Sequence, residues 1–344
     1  MSCISIMFER SERPLLRWRP RSRVVTALLA CWFLAAGAAA FETDQYLALE
    51  VELADSAAPV NAFVNRELEA FLSRPGLDRM ACRRIPTRFY RHLFQGLMAS
   101  RLQKHLKNEP TIELFPDDLG YREHLKRSVY RRPSFPYVLP LSPTIRIGEV
   151  RFGLDKFGHL YGFGRRYYNH YLRLRSRGLS EKEAVRAVVR RGLRQERFFV
   201  GGIADGVFSY GDLEANYQGM RMARDFCEGP DPYLDRLPGG WRVRREIDLQ
   251  DYVTPSFDES FNNNHYPRTR WKKVRPILQA EYCERYFSRQ VQARLSRYRA
   301  LDRPNPSKEV IRDFFARKGD PQRLQSMEAI CERRAPVAVS ATAY

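Results

Sequence analysis

The sequence predicts a mainly α-helical protein with one small β-hairpin. Apolar residues recur at helical spacing in several long stretches; in 60–73, for example, Val64, Leu68 and Leu72 are four residues apart. Alternation typical of strands is confined to 144–153, TIRIGEVRFG, on either side of Gly148. We therefore expect a helical, bundle-like body and a hairpin near 144–153.

Each helix has its own sequence signals. Ser180 followed by Glu183 fits a capping box, which predicts that a helix begins at 181. Asp212 suits the N-cap or first turn of a later helix, and the tail of 87–107 is basic, as helix C-termini often are. The predicted helices span 44–54, 60–73, 87–107, 118–132, 156–176, 181–199, 212–227, 276–299, 307–317 and 321–333.

Two segments are predicted to lack regular structure. Residues 131–143 hold four prolines, which favour an extended connector. Residues 229–275 are rich in Pro, Gly, Asn and Asp, and we expect a long irregular excursion there. Within it, 258–271 combines acids and amides, as in loops that border a cleft.

The N-terminus resembles an export signal. Six arginines precede the apolar run VVTALLACWFLAAGAAA, which ends in an A-x-A pattern at Ala38–Ala40. We expect 1–40 to be a signal peptide, 41–334 to be a single helical domain and 335–344 to be a disordered tail. Two alternatives are a membrane anchor at 24–41 and lipid attachment at Cys31. The mature chain has no other segment apolar enough to span a membrane. The expected location is periplasmic or extracellular.

Four cysteines remain after a cleavage at residue 40. An even number in an exported chain predicts two disulfides, and three pairings are open. Of these we favour Cys82–Cys227 with Cys283–Cys331. No C-x-x-C spacing of a zinc ribbon occurs.

The chain is strongly basic, with a formal net charge of +19. Of its 59 basic residues, 50 are arginine, and the guanidinium group binds carboxylates and phosphates in a bidentate manner. An anionic lipid or envelope polymer is therefore a candidate partner, although a solvated basic surface explains the same composition. Nothing in the sequence indicates a specific nucleic-acid interaction.

One polar constellation stands out at 155–164, DKFGHLYGFG. Asp155 and His159 are four residues apart, so both side chains can lie on one helix face, while Lys156 points elsewhere and can reach a neighbouring acid. A carboxylate with an imidazole suits either a metal site or acid/base chemistry. Complementary groups follow downstream at Glu196, Asp212 and Asn216.

These pieces resemble a known pattern. The order DKFGHL (155–160), then Glu196, then FSYGDLEANYQG (208–219) is similar to VanZ-like proteins and to a related group of small periplasmic lipoproteins, over about a fifth of the chain. The resemblance implies a shared helical core and a shared polar set: Asp155, Lys156, His159, Glu196, Asp212 and Asn216. VanZ-like proteins lie in the membrane, whereas 165–176 carries four arginines and is too polar to span one. The resemblance implies a link to the cell envelope but no particular reaction.

Two functions remain open. The first is a non-catalytic envelope protein, in which the polar set is a buried network that docks helices and a basic surface binds anionic components. The second is a hydrolase or transferase acting on an envelope component, metal-assisted or not, with catalytic residues Asp155, His159, Glu196 and Asp212 and binding residues Lys156 and Asn216. The pattern specifies neither a cofactor nor the identity of a metal.

Overall fold

Helices dominate the structure, as the sequence predicts. The computed structural model describes residues 42–94, 101–117, 119–133, 141–197, 206–316 and 321–331. The helices are α1 (Ala57–Leu72), α2 (Ile85–Leu93), α3 (Arg101–Asn108), α4 (Tyr121–Arg127), α5 (Asp155–Phe157, Gly158–Phe163 and Gly164–Arg175), α6 (Glu181–Gln195), α7 (Tyr210–Asp225), α8 (Arg268–Ile277, Leu278–Tyr282 and Cys283–Tyr286), α9 (Arg289–Leu301), α10 (Pro306–Ala316), α11 (Pro321–Gln325) and α12 (Met327–Cys331).

Strands contribute only short pairs within the described residues. β1 (Glu42–Thr43) runs parallel to β2 (Leu141–Ser142). β3 (Thr144–Ile147) and β4 (Val150–Gly153) form the predicted hairpin, with Ile145 opposite Phe152. A second hairpin, β5 (Leu234–Leu237) with β6 (Gly240–Val243), was not predicted. Two strands adjoin the start of α5: β4 precedes it in the chain, and Thr43 of β1 contacts its first residue, Asp155.

The helix pair α5–α7 forms the centre of the fold. The middle segment of α5, Gly158–Phe163, is π-helical, a feature frequent at functional sites. The two backbones approach closely at Gly164 and Gly219: a Cβ atom on Gly219 would lie 1.9 Å from the carbonyl oxygen of Leu160. Only glycine fits there, so helix packing explains the final glycine of the FSYGDLEANYQG motif.

The prediction of a helix at 44–54 is wrong. Residues 45–50 form turns and 51–56 have no regular structure. Two buried arginines bind the carbonyl groups that a helix would need: the Arg151 guanidinium donates to the Ala48 and Val51 oxygens at 2.6 and 2.7 Å, and Arg294 donates to the Leu49 oxygen at 2.7 Å. Long-range side-chain donors therefore replace the helical hydrogen bonds in this segment.

Other boundaries also differ from the prediction. The helix expected at 118–132 spans Tyr121–Arg127, and the helix expected at 276–299 is divided between α8, which begins at Arg268, and α9, which begins at Arg289. The predicted helix 87–107 is described as two helices, α2 and α3, with residues 95–100 between them outside the described part of the chain. The predicted excursion 229–275 contains β5, β6 and two short 3₁₀ turns, and it ends where α8 begins at Arg268. Of the proline-rich connector, 134–140 lies outside the described residues, and Leu141–Ser142 is extended.

Both favoured disulfides are present. Cys82 bonds to Cys227 and Cys283 bonds to Cys331, with Cα–Cα distances of 5.9 and 5.4 Å. The first joins the turn before α2 to the end of α7, and the second joins α8 to α12. Both distances lie within the usual range for disulfides.

Among the described residues, no helix is long and apolar enough to cross a bilayer. The predicted signal peptide, the alternative anchor at 24–41 and the predicted tail at 335–344 lie outside the described part of the chain.

Candidate functional site

The beginning of α5 brings the predicted polar residues together. β4 delivers the chain to Asp155, the first residue of α5, and the ligand atoms of Asp155, His159 and Asp212 all lie within 4.8 Å of one another. Ser209 caps α7 by accepting a hydrogen bond from the Asp212 N–H at 3.0 Å. The cap fixes Asp212 in the first turn of α7, facing α5.

Lys156 lies at the centre of the cluster. The sequence predicts that it points elsewhere on the helix and reaches a neighbouring acid; it does reach acids, but they are those of the cluster itself. Its ammonium group donates to Asp155 Oδ2 and to Glu259 Oε1, each at 2.6 Å, and lies 2.8 Å from Asp212 Oδ1. The side chain has no exposed surface. A fully buried ammonium group is tolerated because three carboxylates replace its hydration.

His159 is held on both sides of its ring. Nδ1 lies 3.1 Å from Asn216 Oδ1, and Nε2 lies 3.2 Å from Asp212 Oδ2. The Phe163 ring stacks on the imidazole with a centroid distance of 5.0 Å. The ring is 1% exposed, so its orientation is fixed by α5 and α7 together.

Glu196 contacts Ser209, which in turn contacts the cluster. It follows α6, is buried, and its Oε1 accepts a hydrogen bond from the Ser209 N–H at 3.3 Å. The Ser209 hydroxyl in turn donates to Glu259 Oε1 at 2.6 Å. Glu196 therefore supports the α7 N-terminus, and the structure does not place it beside Asp155 or His159.

Several members of the cluster were missed by the sequence reasoning. The Thr43 hydroxyl donates to Asp155 Oδ1 at 2.5 Å, in the space that a side chain on Gly153 would fill. Glu42, Asp155 and Glu259 form a second carboxylate group within 4.8 Å. Asn264 donates to Glu259 Oε2 at 2.8 Å. For Glu259 and Asn264, the only sequence signal was the acid- and amide-rich composition of 258–271.

Burial and neighbouring charges divide the carboxylates into two kinds. Burial, reinforced by Glu259, raises the pKa of Glu42 well above its usual range, and burial raises the pKa of Glu259 although Lys156 opposes it. For Asp212, burial is outweighed by the nearby His159 and Lys156, so its pKa is lowered. Burial alone would lower the pKa of Lys156, but the surrounding carboxylates, Asp155 first among them, outweigh burial and raise it. Lys156 and Asp212 therefore form an ion pair, while protonation is favoured at Glu42 and Glu259.

The cluster is closed to solvent. Each of the six residues predicted from the sequence is at most 4% exposed. A cavity of about 650 Å³ opens elsewhere, beside Tyr210, Phe261 and Phe315, and none of the six is among the described residues that line it. The arrangement suits a network that fixes helices, or a buried cation site; a substrate would need an opening.

Comparison with protein-family models, with curated proteins and with solved structures finds no match to this chain. The similarity to VanZ-like proteins over 155–220 therefore stays a prediction, and it rests on the residues quoted above.

Proposed function

We propose that this chain is an exported, non-catalytic cell-envelope protein that binds anionic groups through one arginine-rich surface. The buried Asp–Lys–His cluster stabilises the helices that carry that surface. The supporting observation is a basic surface on α2, α5, the turn after α5 and α6, whose arginines form no ion pair with a described carboxylate. We call it the basic face, and it comprises Arg91, Arg165, Arg166, His170, Arg173, Arg177 and Arg191.

The arginines of the basic face lie near one another. Arg166, His170 and Arg173 follow at spacings of four and three along α5, so their side chains share one side of the helix. Burial, followed by the charges of Arg191, Arg173 and Arg177, lowers the pKa of His170, so these three arginines are close enough to act on its ring. The proximity of the arginines favours recognition of several phosphates or carboxylates at once.

The arginines of the basic face lack acidic partners in the part of the chain that the structure describes. Other arginines do have them: Arg186, also on α6, pairs with Asp313 at 2.8 Å, and Arg224 pairs with Glu181 at 2.7 Å. No ion pair within 4.0 Å joins the basic face to a described carboxylate. Unpaired, solvated guanidinium groups bind external anions without first breaking an internal pair.

The closed cluster favours this proposal over the hydrolase or transferase alternative. A general base has to come within hydrogen-bond reach of its substrate, and His159 is instead enclosed by Asn216, Asp212 and Phe163. Two disulfides are compatible with the oxidising environment expected after export.

Co-sedimentation with lipid vesicles tests the proposal. Phosphatidylglycerol and phosphatidylcholine vesicles are compared at ionic strengths of about 0.01 and 0.15 M, where the Debye lengths are roughly 30 and 8 Å. Binding only to anionic vesicles, weakened by salt, supports an anionic lipid partner. Binding to an anionic envelope polysaccharide but not to the vesicles assigns the same chemistry to a polymer. Salt-insensitive binding to both vesicles, or no binding to either anion source, contradicts the proposal.

A matched pair of variants assigns the binding to the basic face. Arg173→Ala with Arg191→Ala removes two exposed charges from it, and Arg268→Ala with Arg289→Ala removes two exposed charges elsewhere. At about 1 kcal/mol per arginine at an anionic surface, the first pair weakens binding roughly 30-fold. The control pair should change it much less. Equal losses in both pairs would mean that net charge, and not this face, determines binding.

A further inference from the structure

The contacts of His159 point to a bound ligand in the cluster, independent of the basic face. Asn216 Oδ1 is only an acceptor, so the Nδ1 atom at 3.1 Å carries a proton and donates it. Nε2 then faces Asp212 Oδ2 at 3.2 Å but makes no aligned hydrogen bond, although the ring is 1% exposed. A buried imidazole nitrogen without a hydrogen-bond partner, directed at a carboxylate oxygen, is the arrangement expected of two ligands of one cation.

The carboxylates of the cluster also favour a cation. Four lie within it: Glu42, Asp155, Asp212 and Glu259. The Lys156 ammonium group contacts Asp155, Asp212 and Glu259. Asp155 and Asp212 converge on His159 as well, so carboxylate oxygens and an imidazole nitrogen meet in a closed site.

The ligand atoms fit a transition metal of modest size. Asp155, His159 and Asp212 offer one imidazole nitrogen and carboxylate oxygens within 4.8 Å of one another. Ligands bound at about 2.0–2.2 Å lie in this range, and the 3.2 Å separation of Nε2 and Oδ2 suits two ligands of one ion. Asn216 orients the imidazole through Nδ1, as carbonyl oxygens do behind metal-bound histidines. Mixed nitrogen and oxygen ligands favour Zn²⁺ or Mn²⁺ over Mg²⁺ or Ca²⁺.

We infer that Asp155, His159 Nε2 and Asp212 Oδ2 bind one divalent transition-metal ion, which joins α5 to α7 beside the Lys156 ammonium group. The ion has a structural role here, because the site is closed. The inference does not depend on what the basic face binds.

The test is Zn²⁺ binding to the chelator-treated full-length protein, by calorimetry and by metal analysis after dialysis. We expect one Zn²⁺ per chain, with affinity at least 10-fold lower in His159→Gln. His124→Gln is the control, since His124 is also buried but belongs to α4 and to no carboxylate cluster found among the described residues. Absence of stoichiometric binding, or equal loss in both variants, overturns the inference.

X-ray absorption at the zinc edge of the wild-type protein gives a second readout if His159→Gln does not fold. One imidazole with oxygen ligands at about 2.0–2.2 Å supports the assignment. Sulfur ligands, or two or more imidazoles, place the ion elsewhere and overturn it.

Discussion

Replacing Lys156 with methionine removes the central charge of the cluster while keeping a flexible side chain of similar length. In the wild type, the ammonium group contacts Asp155, Glu259 and Asp212 at 2.6, 2.6 and 2.8 Å. The substitution leaves those carboxylates together with Glu42 in a buried site from which the ammonium group has been removed. The fold then has to bury like charges together or protonate them.

The expected loss is about 3–5 kcal/mol in the free energy of unfolding at neutral pH, because removing one partner of a buried ion pair leaves the other uncompensated. For a chain of this length, such a loss lowers the melting temperature by roughly 6–20 °C. The penalty should shrink as the pH falls. Carboxylates that have lost Lys156 have raised folded-state pKa values, so their protonated forms stabilise the fold below those values.

Urea unfolding at two pH values measures both effects, with the disulfides kept intact. Lys182→Met is the matched control, because Lys182 is exposed at the beginning of α6, and a surface substitution should change stability by at most about 0.5 kcal/mol. A loss below about 1 kcal/mol for Lys156→Met, or a penalty that grows on acidification, would refute the reasoning.

Three further predictions concern packing, pH and the disulfides. Gly219→Ala should cost about 1–3 kcal/mol or more in unfolding free energy, because its Cβ would overlap the Leu160 carbonyl oxygen. Gly162→Ala is the control and should be tolerated, because the added carbon makes only ordinary contact with Phe94. Equal stabilities of the two variants would contradict the prediction. Burial lowers the pKa of His124 to about 4. The free energy of unfolding of the wild type should therefore fall by about 1–2 kcal/mol as the pH drops from about 6.5 to 4. Urea unfolding at several pH values should show a smaller fall in His124→Gln, and an equal fall in the variant would mean that His124 is not its cause. Replacing Cys82 and Cys227 by serine should cost about 2–5 kcal/mol; a melting temperature equal to that of the wild type would mean that the crosslink contributes nothing.

The sequence predicted local structure well where local signals determine it. The capping box of Ser180 and Glu183 is present, with both reciprocal hydrogen bonds formed at the start of α6. The alternation around Gly148 gives the β3–β4 hairpin in the expected place. Both features depend on residues within a few positions of one another, so one sequence is enough to identify them.

The sequence failed where distant groups decide the structure. Residues 44–54 have helical composition, but Arg151 and Arg294, about 100 and 245 residues away, bind their carbonyl groups. The direction of Lys156 could not be inferred from its own helix either, because Glu259 attracts it from a segment 103 residues later in the chain. Propensity carries no information on such long-range contacts.

The candidate site was predicted in part. Asp155, His159, Asp212 and Asn216 do meet, because helical spacing and the α7 cap place each on a facing surface. Glu42 and Thr43 could not be inferred, since their position depends on the pairing of β1 with β2, almost 100 residues apart. Glu196 is connected to the site through Ser209, a connection that the motif order does not reveal.

A double-mutant cycle between Lys156 and Asp212 tests most directly whether the constellation is a network that holds α5 against α7. The free energies of unfolding of the wild type, Lys156→Met, Asp212→Asn and the double variant give the coupling between the two side chains. We expect a favourable coupling of about 1–3 kcal/mol, because the ammonium and carboxylate groups lie 2.8 Å apart with almost no exposure. A coupling indistinguishable from zero would contradict the claim that this network holds α5 against α7.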